Sequence, residues 1–438
     1  MFFFYIILFI FSVYINGEHI ILMASESVND LSTVENEMFK ASTSNANNSI
    51  SLESEAKESM TDKLTFGGEY SFEAITSLQK NKNIEDGLFK NPNTLELYLD
   101  AKVKEWARVF SRGTLVYDPS VNESAVNIYT GRTYKKTETT LSELKFMGNF
   151  RKKVFITLGK QKIKHGSAKF WNPSDFLNNT ARDFFELLVD KRGGIPLVKF
   201  HLPIENANIY LISIFDNTNN TNKNIGEYLR IEQPFSSSEL SMSFFFKKNQ
   251  RTKISMDFST DVYDFDFYLE SALSHGSDNG IYKSTNTLDY LDYKDDEWIY
   301  SGTAGLEYQR KYHDNHTVTA GLEYFYNGEG VDDKKLYPYL IINRRYIPYR
   351  SARHYGMFLI YLPSINIGIG ETNDYNLYLF NLANLMDSSF IFRPELSKSI
   401  DKDISLSSYL GLHYGKSDGE FMMGNQLLDI GIKLVIKI

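Results

Sequence analysis

The feature that most constrains this chain is a hydrophobic pattern with a period of two residues. Residues 94–104 read TLELYLDAKVK, in which Leu95, Leu97 and Leu99 share one face and mostly polar side chains share the other. Alternation over about ten residues is typical of a β-strand with one apolar and one polar face. The same alternation recurs in segment after segment from residue 64 to the last residue. The sequence therefore predicts an all-β fold.

Strand length and aromatic content narrow the class of all-β protein. The alternating segments are about ten residues long, whereas soluble strands cluster near five or six residues. Aromatic residues make up 15% of the chain, and they often stand near the ends of the apolar faces, as in interfacial girdles. After Ile15 no apolar run approaches the roughly 20 residues of a spanning helix. These features favour a transmembrane antiparallel β-barrel, and a soluble secreted sandwich or propeller is the alternative.

The alternating segments predict eighteen strands, an even number as in bacterial barrels, with sixteen as the alternative. The predicted strands are 64–72, 94–104, 106–117, 140–149, 152–163, 196–203, 207–215, 226–232, 238–248, 252–260, 263–273, 297–309, 315–326, 353–362, 374–384, 388–398, 403–415 and 426–437. Long connections follow odd-numbered strands, at 73–93, 118–139, 164–195, 274–296 and 327–352. Most of the others are tight turns, so long loops are predicted at one end and both termini at the opposite, periplasmic end.

The N-terminal region reads as an export signal followed by a polar spacer. Residues 1–17 are almost entirely apolar and form a predicted signal peptide, with cleavage after Gly17 or as late as Ala24. An uncleaved anchor is the alternative. Ser, Asn and Glu dominate residues 25–60, which predicts a disordered polar arm. The barrel domain is then predicted to span residues 64–438.

One local motif resembles a known family. The stretch 152–178 reads KKVFITLGKQKIKHGSAKFWNPSDFLN, a strand that ends in Gly-Lys-Gln and continues into an Asn-Pro loop. It resembles porin-like outer-membrane barrels, the broad group that includes alginate-export-type channels. His165 stands where that pattern usually has Trp. The loop residues that match the family pattern are Trp171, Asn172, Pro173 and Asp175.

The resemblance implies that this loop folds into the lumen and narrows the pore. The predicted constriction loop consists of Phe170, Trp171, Asn172, Pro173 and Asp175. The alternative is a loop that is anchored by Phe170 and Trp171 against the inner wall and does not contact solute. A helical-looking stretch, 174–190, follows the motif, and Ser174 or Asp175 is its predicted cap.

The polar face of each predicted strand is assigned to the lumen, because lipid cannot solvate charge. This predicts a basic wall opposite an acidic wall, about half a circumference apart. The predicted pore-lining residues are Lys102, Arg108 and Arg112 on the basic side and Asp257, Asp261, Asp264, Asp266 and Glu270 on the acidic side. Such a pore would carry a transverse field that orients dipolar solutes. An evenly mixed polar lumen is the alternative.

Other chemistries find little support in the sequence. The chain has no cysteine and a net charge of -8, which excludes cysteine-based metal sites and argues against a nucleic-acid partner. No nucleophile-elbow, P-loop or zinc-protease motif occurs. The acidic group of Asp292, Asp295, Asp296 and Glu297 is a solvated loop or, alternatively, a calcium site. We predict no enzyme activity, cofactor or metal.

The sequence therefore predicts a porin-like channel of a bacterial outer membrane that passes small polar solutes. A barrel of 16 to 18 strands leaves an aqueous lumen, whereas about eight strands are filled by side chains. The alternative function is a surface-exposed structural barrel or adhesin, with loops 274–296 and 327–352 as its binding surface. The expected partners are outer-membrane lipid, small polar solutes and the barrel-assembly machinery; the oligomeric state stays open. The chain ends in Ile438 rather than the aromatic residue common in assembly signals.

Overall fold

The computed structural model describes residues 63–80, 82, 88–125, 127, 133–178, 193–216, 224–284, 289–312, 316–366 and 375–438. The predicted signal peptide and polar arm lie outside the described residues, as do residues 179–190 of the helical-looking stretch. The described part is almost entirely β-structure. None of its helices has both the length and the apolarity to cross a membrane.

The strands of the described residues follow one another with few other elements between them. They are β1 (Leu64–Gln79), β2 (Leu88–Lys90), β3 (Asn93–Lys104), β4 (Ala107–Tyr117), β5 (Thr137–Phe150), β6 (Val154–Gln161), β7 (Ile195–Ile204), β8 (Ala207–Asp216), β9 (Asn224–Phe235), β10 (Ser238–Lys247), β11 (Lys253–Val262), β12 (Phe265–His275), β13 (Ile281–Ser284), β14 (Asp289–Asp292), β15 (Trp298–Tyr312), β16 (His316–Asn327), β17 (His354–Ile365), β18 (Tyr375–Asn384), β19 (Ser389–Asp401), β20 (Ile404–Tyr414) and β21 (Gln426–Lys437). The described residues also include two 3-10 helices, Lys334–Leu336 and Glu420–Asn425, and the α-helix α1, Tyr337–Ile342, all of which lie in loops.

Eighteen of these strands form one closed antiparallel barrel. Each barrel strand pairs with the next along the chain, and the first strand closes the ring by pairing with the last, from Glu69 opposite Lys437 to Gln79 opposite Gln426. The prediction of eighteen strands is confirmed, and the sixteen-strand alternative is wrong. The short strand β2 pairs antiparallel with residues 75–77 of β1, and β13 and β14 form a separate hairpin in a loop.

Turn geometry explains where the strand boundaries differ from the predicted ones. The strand predicted at 152–163 begins at Val154, because Arg151 and Lys152 adopt positive φ angles of 53° and 57° in a tight turn. The strand predicted at 263–273 begins at Phe265 for the same reason, since Tyr263 has a φ of 57°. Tight turns between antiparallel strands use left-handed backbone conformations at their central residues, so in both places the strand begins after the turn.

The connections separate by length between the two ends of the barrel. All connections longer than ten residues, such as those at 162–194 and 328–353, leave from the same end. Turns at the other end are as short as two residues, for example between Val262 and Phe265. Gly68 and Ile438, at the first and last strands, exchange backbone hydrogen bonds at this short-turn end.

Strand β12 illustrates how the barrel wall separates its two faces. Phe265, Phe267 and Leu269 point outward and are 39–46% exposed. The intervening side chains point into the barrel, where Glu270 is fully buried. Alternation of this kind places apolar side chains on the outside and polar groups on the inside, the reverse of a soluble barrel.

Candidate functional site

The connection between β6 and β7 crosses the barrel interior. These are the fifth and sixth barrel strands in ring order, yet residues 163–178 of the connection, the lumenal loop, contact β12, β15 and β16, which are the eleventh to thirteenth. The contacts lie at mid-height, since Glu270 is at the middle of β12. The loop therefore descends into the barrel rather than covering its mouth.

The side chain of Glu323 on β16 binds backbone groups of the lumenal loop. Its carboxylate accepts hydrogen bonds from the backbone N–H groups of Lys169 (2.8 Å), Phe170 (3.2 Å) and Trp171 (2.7 Å). The Tyr268 hydroxyl donates a further hydrogen bond of 2.9 Å to the same carboxylate. Glu323 is 3% exposed, so these donors replace the water that an ionised carboxylate would otherwise bind.

Glu270 on β12 holds the next part of the lumenal loop. Its Oε1 accepts hydrogen bonds from the Ala168 backbone N–H at 2.6 Å and from Asn172 Nδ2 at 2.9 Å. Its Oε2 accepts from Ser174 Oγ at 2.6 Å and from the Ser174 backbone N–H at 3.2 Å. Two buried carboxylates on the far wall thus bind successive backbone donors of one loop. The sequence places both on a polar strand face but does not reveal this shared role.

Aromatic side chains anchor the same loop to the upper part of the barrel. The Trp171 ring stacks on Phe325 with a centroid distance of 5.5 Å, and its Nε1–H donates to the Tyr349 carbonyl at 2.8 Å. Phe170 packs edge-on against Trp171 at 4.7 Å. The surrounding buried cluster includes Tyr337 from the outer loop 328–353.

A second apolar contact fixes the two ends of the lumenal loop. Ile163, Phe176 and Leu177 pack in a buried cluster with side chains of β7 to β10, including Leu197 and Tyr228. The described residues 174–178 form turns and no helix. Ser174 does not act as the predicted helix cap, because its hydroxyl is bound to Glu270.

The remaining predicted residues of the constriction loop have local structural contacts. Asn172 Nδ2 also donates to the Ala168 carbonyl at 2.6 Å, which closes the turn. Pro173 is buried, and Asp175 accepts a 2.7 Å hydrogen bond from Asn178. The structure therefore brings together all five predicted residues on one loop in the barrel interior; their effect on solutes stays a prediction.

His165 packs inside the lumenal loop. It is 3% exposed and stacks on Tyr228 with a centroid distance of 4.9 Å. Burial lowers the pKa of His165 well below its usual value, and the positive charges of Arg230 and Lys199 add to this effect. The imidazole is therefore neutral at neutral pH and packs as an aromatic ring.

The predicted acidic wall is corrected by these contacts. Glu270 is covered by the lumenal loop, and Asp257 is buried in a bidentate ion pair with Arg230 at 2.7 and 3.0 Å. Asp264 lies in the tight turn after β11 rather than on a strand. Asp261 and Asp266 face each other near the short-turn end, where Lys169 lies 3.5 Å from Asp266.

The predicted basic residues lie on a wall that contacts solvent. We call the inward faces of β1, β3, β4 and β5 the seam wall. Lys102, Arg108 and Arg112 belong to it, and each is partly exposed. Arg108 pairs with Asp100, while Arg112 lies 3.5 Å from Glu96. The side chain of Arg112 is 30% exposed, whereas Glu323 across the barrel is buried.

The two halves of the lumen therefore differ. The side of β12, β15 and β16 is covered by the lumenal loop, whereas the seam wall carries adjacent acidic and basic side chains that are partly exposed. Positive charge thus faces a covered, internally compensated wall instead of an open acidic one. The predicted field between opposite walls lacks most of its acidic side, and neighbouring carboxylates dilute the basic side.

The outer loop 328–353 has both buried and exposed side chains. Tyr337 and Leu340 of this loop are buried, at 1% and 7% exposure, and they pack in the cluster that holds Trp171. Its α-helix also presents Tyr339 and Ile342 to solvent, at 45% and 77% exposure. The loop combines a buried anchor with an exposed tip.

The acidic loop group is occupied by ion pairs with basic side chains. Asp295 pairs with Arg251, and Lys283 lies 2.6 Å from Asp292. Lys294 pairs with Glu297. Within the part of the chain that the structure describes, no three acidic or histidine side chains are arranged to hold a metal ion.

Comparisons with known proteins identify the fold. No family model and no curated protein sequence matches the chain. Solved structures similar to it include OccAB1 of Acinetobacter baumannii, with a TM-score of 0.53, 11% identity and coverage of 86% of this chain and 96% of that one. A BenF-like porin from Pseudomonas fluorescens Pf-5 has a TM-score of 0.53 at 8% identity and covers 86% of this chain and 98% of its own. OccAB4 of A. baumannii has a TM-score of 0.51 at 8% identity, and the match covers 86% of this chain and 98% of that one. The chain shares the barrel fold of these proteins.

Proposed function

We propose that this protein is a porin-like channel of a bacterial outer membrane through which small polar solutes diffuse. The observation that carries the proposal is the lumenal loop, which Glu323 and Glu270 hold across one side of the barrel while the seam wall stays in contact with water. A barrel of this strand number encloses more space than its own side chains fill. The loop narrows that space without replacing the charged wall opposite it. The similarity to a BenF-like porin supports the same function.

The solute path follows the seam wall in this proposal. Lys102, Arg108 and Arg112 contact the passing solute there, with Glu96 and Asp100 beside them. Phe170 and Trp171 set the width of the path indirectly, because they fix the loop that bounds it. Alternating charges favour polar solutes over apolar ones.

The placement in the membrane follows from the outward apolar face and the length of the loops. The long loops face the cell exterior, and both termini face the periplasm, by analogy with bacterial barrels. An export signal at residues 1–17 and recognition of the closing strand β21 by the barrel-assembly machinery complete the proposed route. The proposal includes no catalytic step.

A surface-binding role is the second candidate, and the exposed tip of loop 328–353 favours it. Tyr339 and Ile342 there are exposed apolar side chains beyond the barrel wall. An adhesin of this kind would fold as the same barrel but would not conduct ions in a stepwise manner. Conductance therefore separates the two functions.

Replacing Arg108 and Arg112 together with serine is expected to shift ion selectivity toward cations. The substitution removes two positive charges and leaves Asp100 and Glu96 without these partners. The measurement is the reversal potential of the channel in a salt gradient across a planar bilayer. The matched control is the double lysine variant, R108K/R112K, which keeps both charges and should retain the original selectivity. An unchanged reversal potential in the serine variant would remove these residues from the conducting path.

A further inference from the structure

Glu420 lies where three segments at the outer end of the barrel meet. It belongs to the loop between β20 and β21 and is 3% exposed. Its carboxylate accepts hydrogen bonds from the hydroxyls of Tyr346 (2.9 Å) and Tyr355 (2.7 Å) and from Asn384 Nδ2 (2.7 Å). One side chain thus joins the outer loop 328–353 to strands β17 and β18.

Tyr349 continues this connection into the lumen. Its backbone N–H donates to Glu420 Oε1 at 3.2 Å, and its carbonyl accepts the Nε1–H of Trp171 at 2.8 Å. Two hydrogen bonds through a single residue therefore link Glu420 to the lumenal loop. The rings of Tyr349 and Phe421 also lie 5.8 Å apart, within the apolar cluster that contains Phe170 and Trp171.

The barrel wall fixes Glu420 itself. The Asp387 carboxylate accepts the Glu420 backbone N–H at 2.8 Å and also accepts from Asn384 Nδ2 at 3.0 Å. Asp387 also accepts a hydrogen bond of 2.9 Å from the backbone N–H of Ser389, which fixes its carboxylate to the start of β19. Glu420 is thus held by the rigid wall on one side and holds loop residues on the other.

We propose that Glu420 is a positioning residue for the pore: through Tyr349 it fixes Trp171 and thereby the width of the solute path. We call Glu420, Tyr346, Tyr349 and Tyr355 the outer latch. The inference rests on the proposed channel function and adds a residue, far from the lumenal loop in sequence, that controls it. Loosening the outer latch frees the indole, lets the tip of the lumenal loop move and widens the path.

Carboxylate chemistry explains why an acidic residue occupies this position. An ionised carboxylate only accepts hydrogen bonds, and here four donors point at it, from Tyr346, Tyr349, Tyr355 and Asn384. Alanine accepts none of these, whereas glutamine keeps one carbonyl oxygen. Glu420→Ala is therefore expected to loosen the outer latch fully and Glu420→Gln in part.

A fluorescence experiment tests this coupling without relying on conduction. The chain contains three tryptophans, and the other two, Trp106 in the turn after β3 and Trp298 on β15, are about half exposed. In a W106F/W298F background, Trp171 is the sole tryptophan, and acrylamide quenching reports its accessibility. We expect the quenching constant to rise severalfold in Glu420→Ala and to rise less in Glu420→Gln.

Asp418→Asn is the matched control. Asp418 pairs with Lys334 at 2.5 Å and so joins the same two outer loops, but it is exposed and does not contact Tyr349. Its substitution should leave Trp171 quenching unchanged. Equal quenching in all these variants would overturn the proposal. If Glu420→Ala is not recovered as a heat-modifiable barrel, Tyr346→Phe, which removes one donor to Glu420, decides by the same measurement.

Planar-bilayer recordings of the same variants test the consequence for the pore. Increased single-channel conductance in Glu420→Ala, together with increased quenching, supports the proposal. Increased quenching with unaltered conductance would contradict the claim that Glu420 controls the width of the solute path. If the parent and every variant fail to conduct, the proposed channel function is wrong, while quenching still decides whether Glu420 positions Trp171.

Discussion

Glu323→Ala is expected to release the lumenal loop and to increase single-channel conductance more than any other single change in the barrel wall. The substitution leaves three loop N–H groups, those of residues 169–171, without their acceptor in a buried site. An unsatisfied buried donor costs about 1–3 kcal/mol. If each of the three donors costs about 1 kcal/mol, the docked loop loses about 3 kcal/mol of stability. This loss lowers the ratio of docked to released loop by about 100-fold. Conductance in planar bilayers measures the resulting widening.

Glu395→Ala is the control for Glu323→Ala. Glu395 is also an inward carboxylate, but it pairs with Arg393 on its own strand at 2.8 Å and lies away from the lumenal loop. It should change conductance much less. Equal conductance in Glu323→Ala and the parent, with both barrels folded by heat-modifiability, would show that the loop does not bound the conducting path.

Gly166→Ala is expected to displace the lumenal loop as well, but by steric crowding rather than by loss of a hydrogen-bond acceptor. Gly166 has a φ of +96°, and an added Cβ would lie 2.5 Å from Ser174 Oγ and closer still to Glu270 Oε1. A non-glycine residue held in such a backbone region costs about 1–3 kcal/mol before the clash is counted. We expect larger conductance and greater acrylamide quenching of Trp171.

Gly193→Ala provides the comparison within the same connection. A Cβ at Gly193 would meet no atom of the described residues within 4 Å. This variant should behave like the parent in both measurements. If Gly166→Ala also behaves like the parent, the tight approach between Gly166 and Glu270 does not hold the loop in place.

The barrel itself is predictable from the sequence because its signal is local. Alternation within residues 94–104 or 426–437 identifies a strand from its own side chains, and closure then follows from the number of strands and the length of the loops. The inward placement of Lys102, Arg108 and Arg112 follows from the same alternation. The register shift opposite Arg112 and Gly113 adds Ser142 to the neighbouring strand β5 and does not change which face the three basic residues occupy.

The interior contacts are not predictable in this way, because they join residues far apart in the chain. Alternation puts Glu270 and Glu323 on the polar face, but it cannot reveal that loop N–H groups about 100 and 150 residues earlier fill their hydrogen-bonding capacity. Alternation alone therefore predicts an acidic wall where the structure has a wall that the lumenal loop covers. The prediction for Asp264 is wrong for a simpler reason: Tyr263 and Asp264 form the tight turn after β11, so Asp264 is not on a strand.

Cysteine accessibility tests the central claim, a water-filled path along the seam wall, most directly. The chain contains no cysteine, so a single introduced thiol is the only one to react. Arg112→Cys places it on the seam wall, and Thr303→Cys places it on the covered side, where Thr303 is 1% exposed and donates to the Trp171 carbonyl at 2.9 Å. A charged, membrane-impermeant thiosulfonate should rapidly reduce the current through Arg112→Cys and leave that through Thr303→Cys unchanged. Block of Thr303→Cys with no effect on Arg112→Cys would contradict the account.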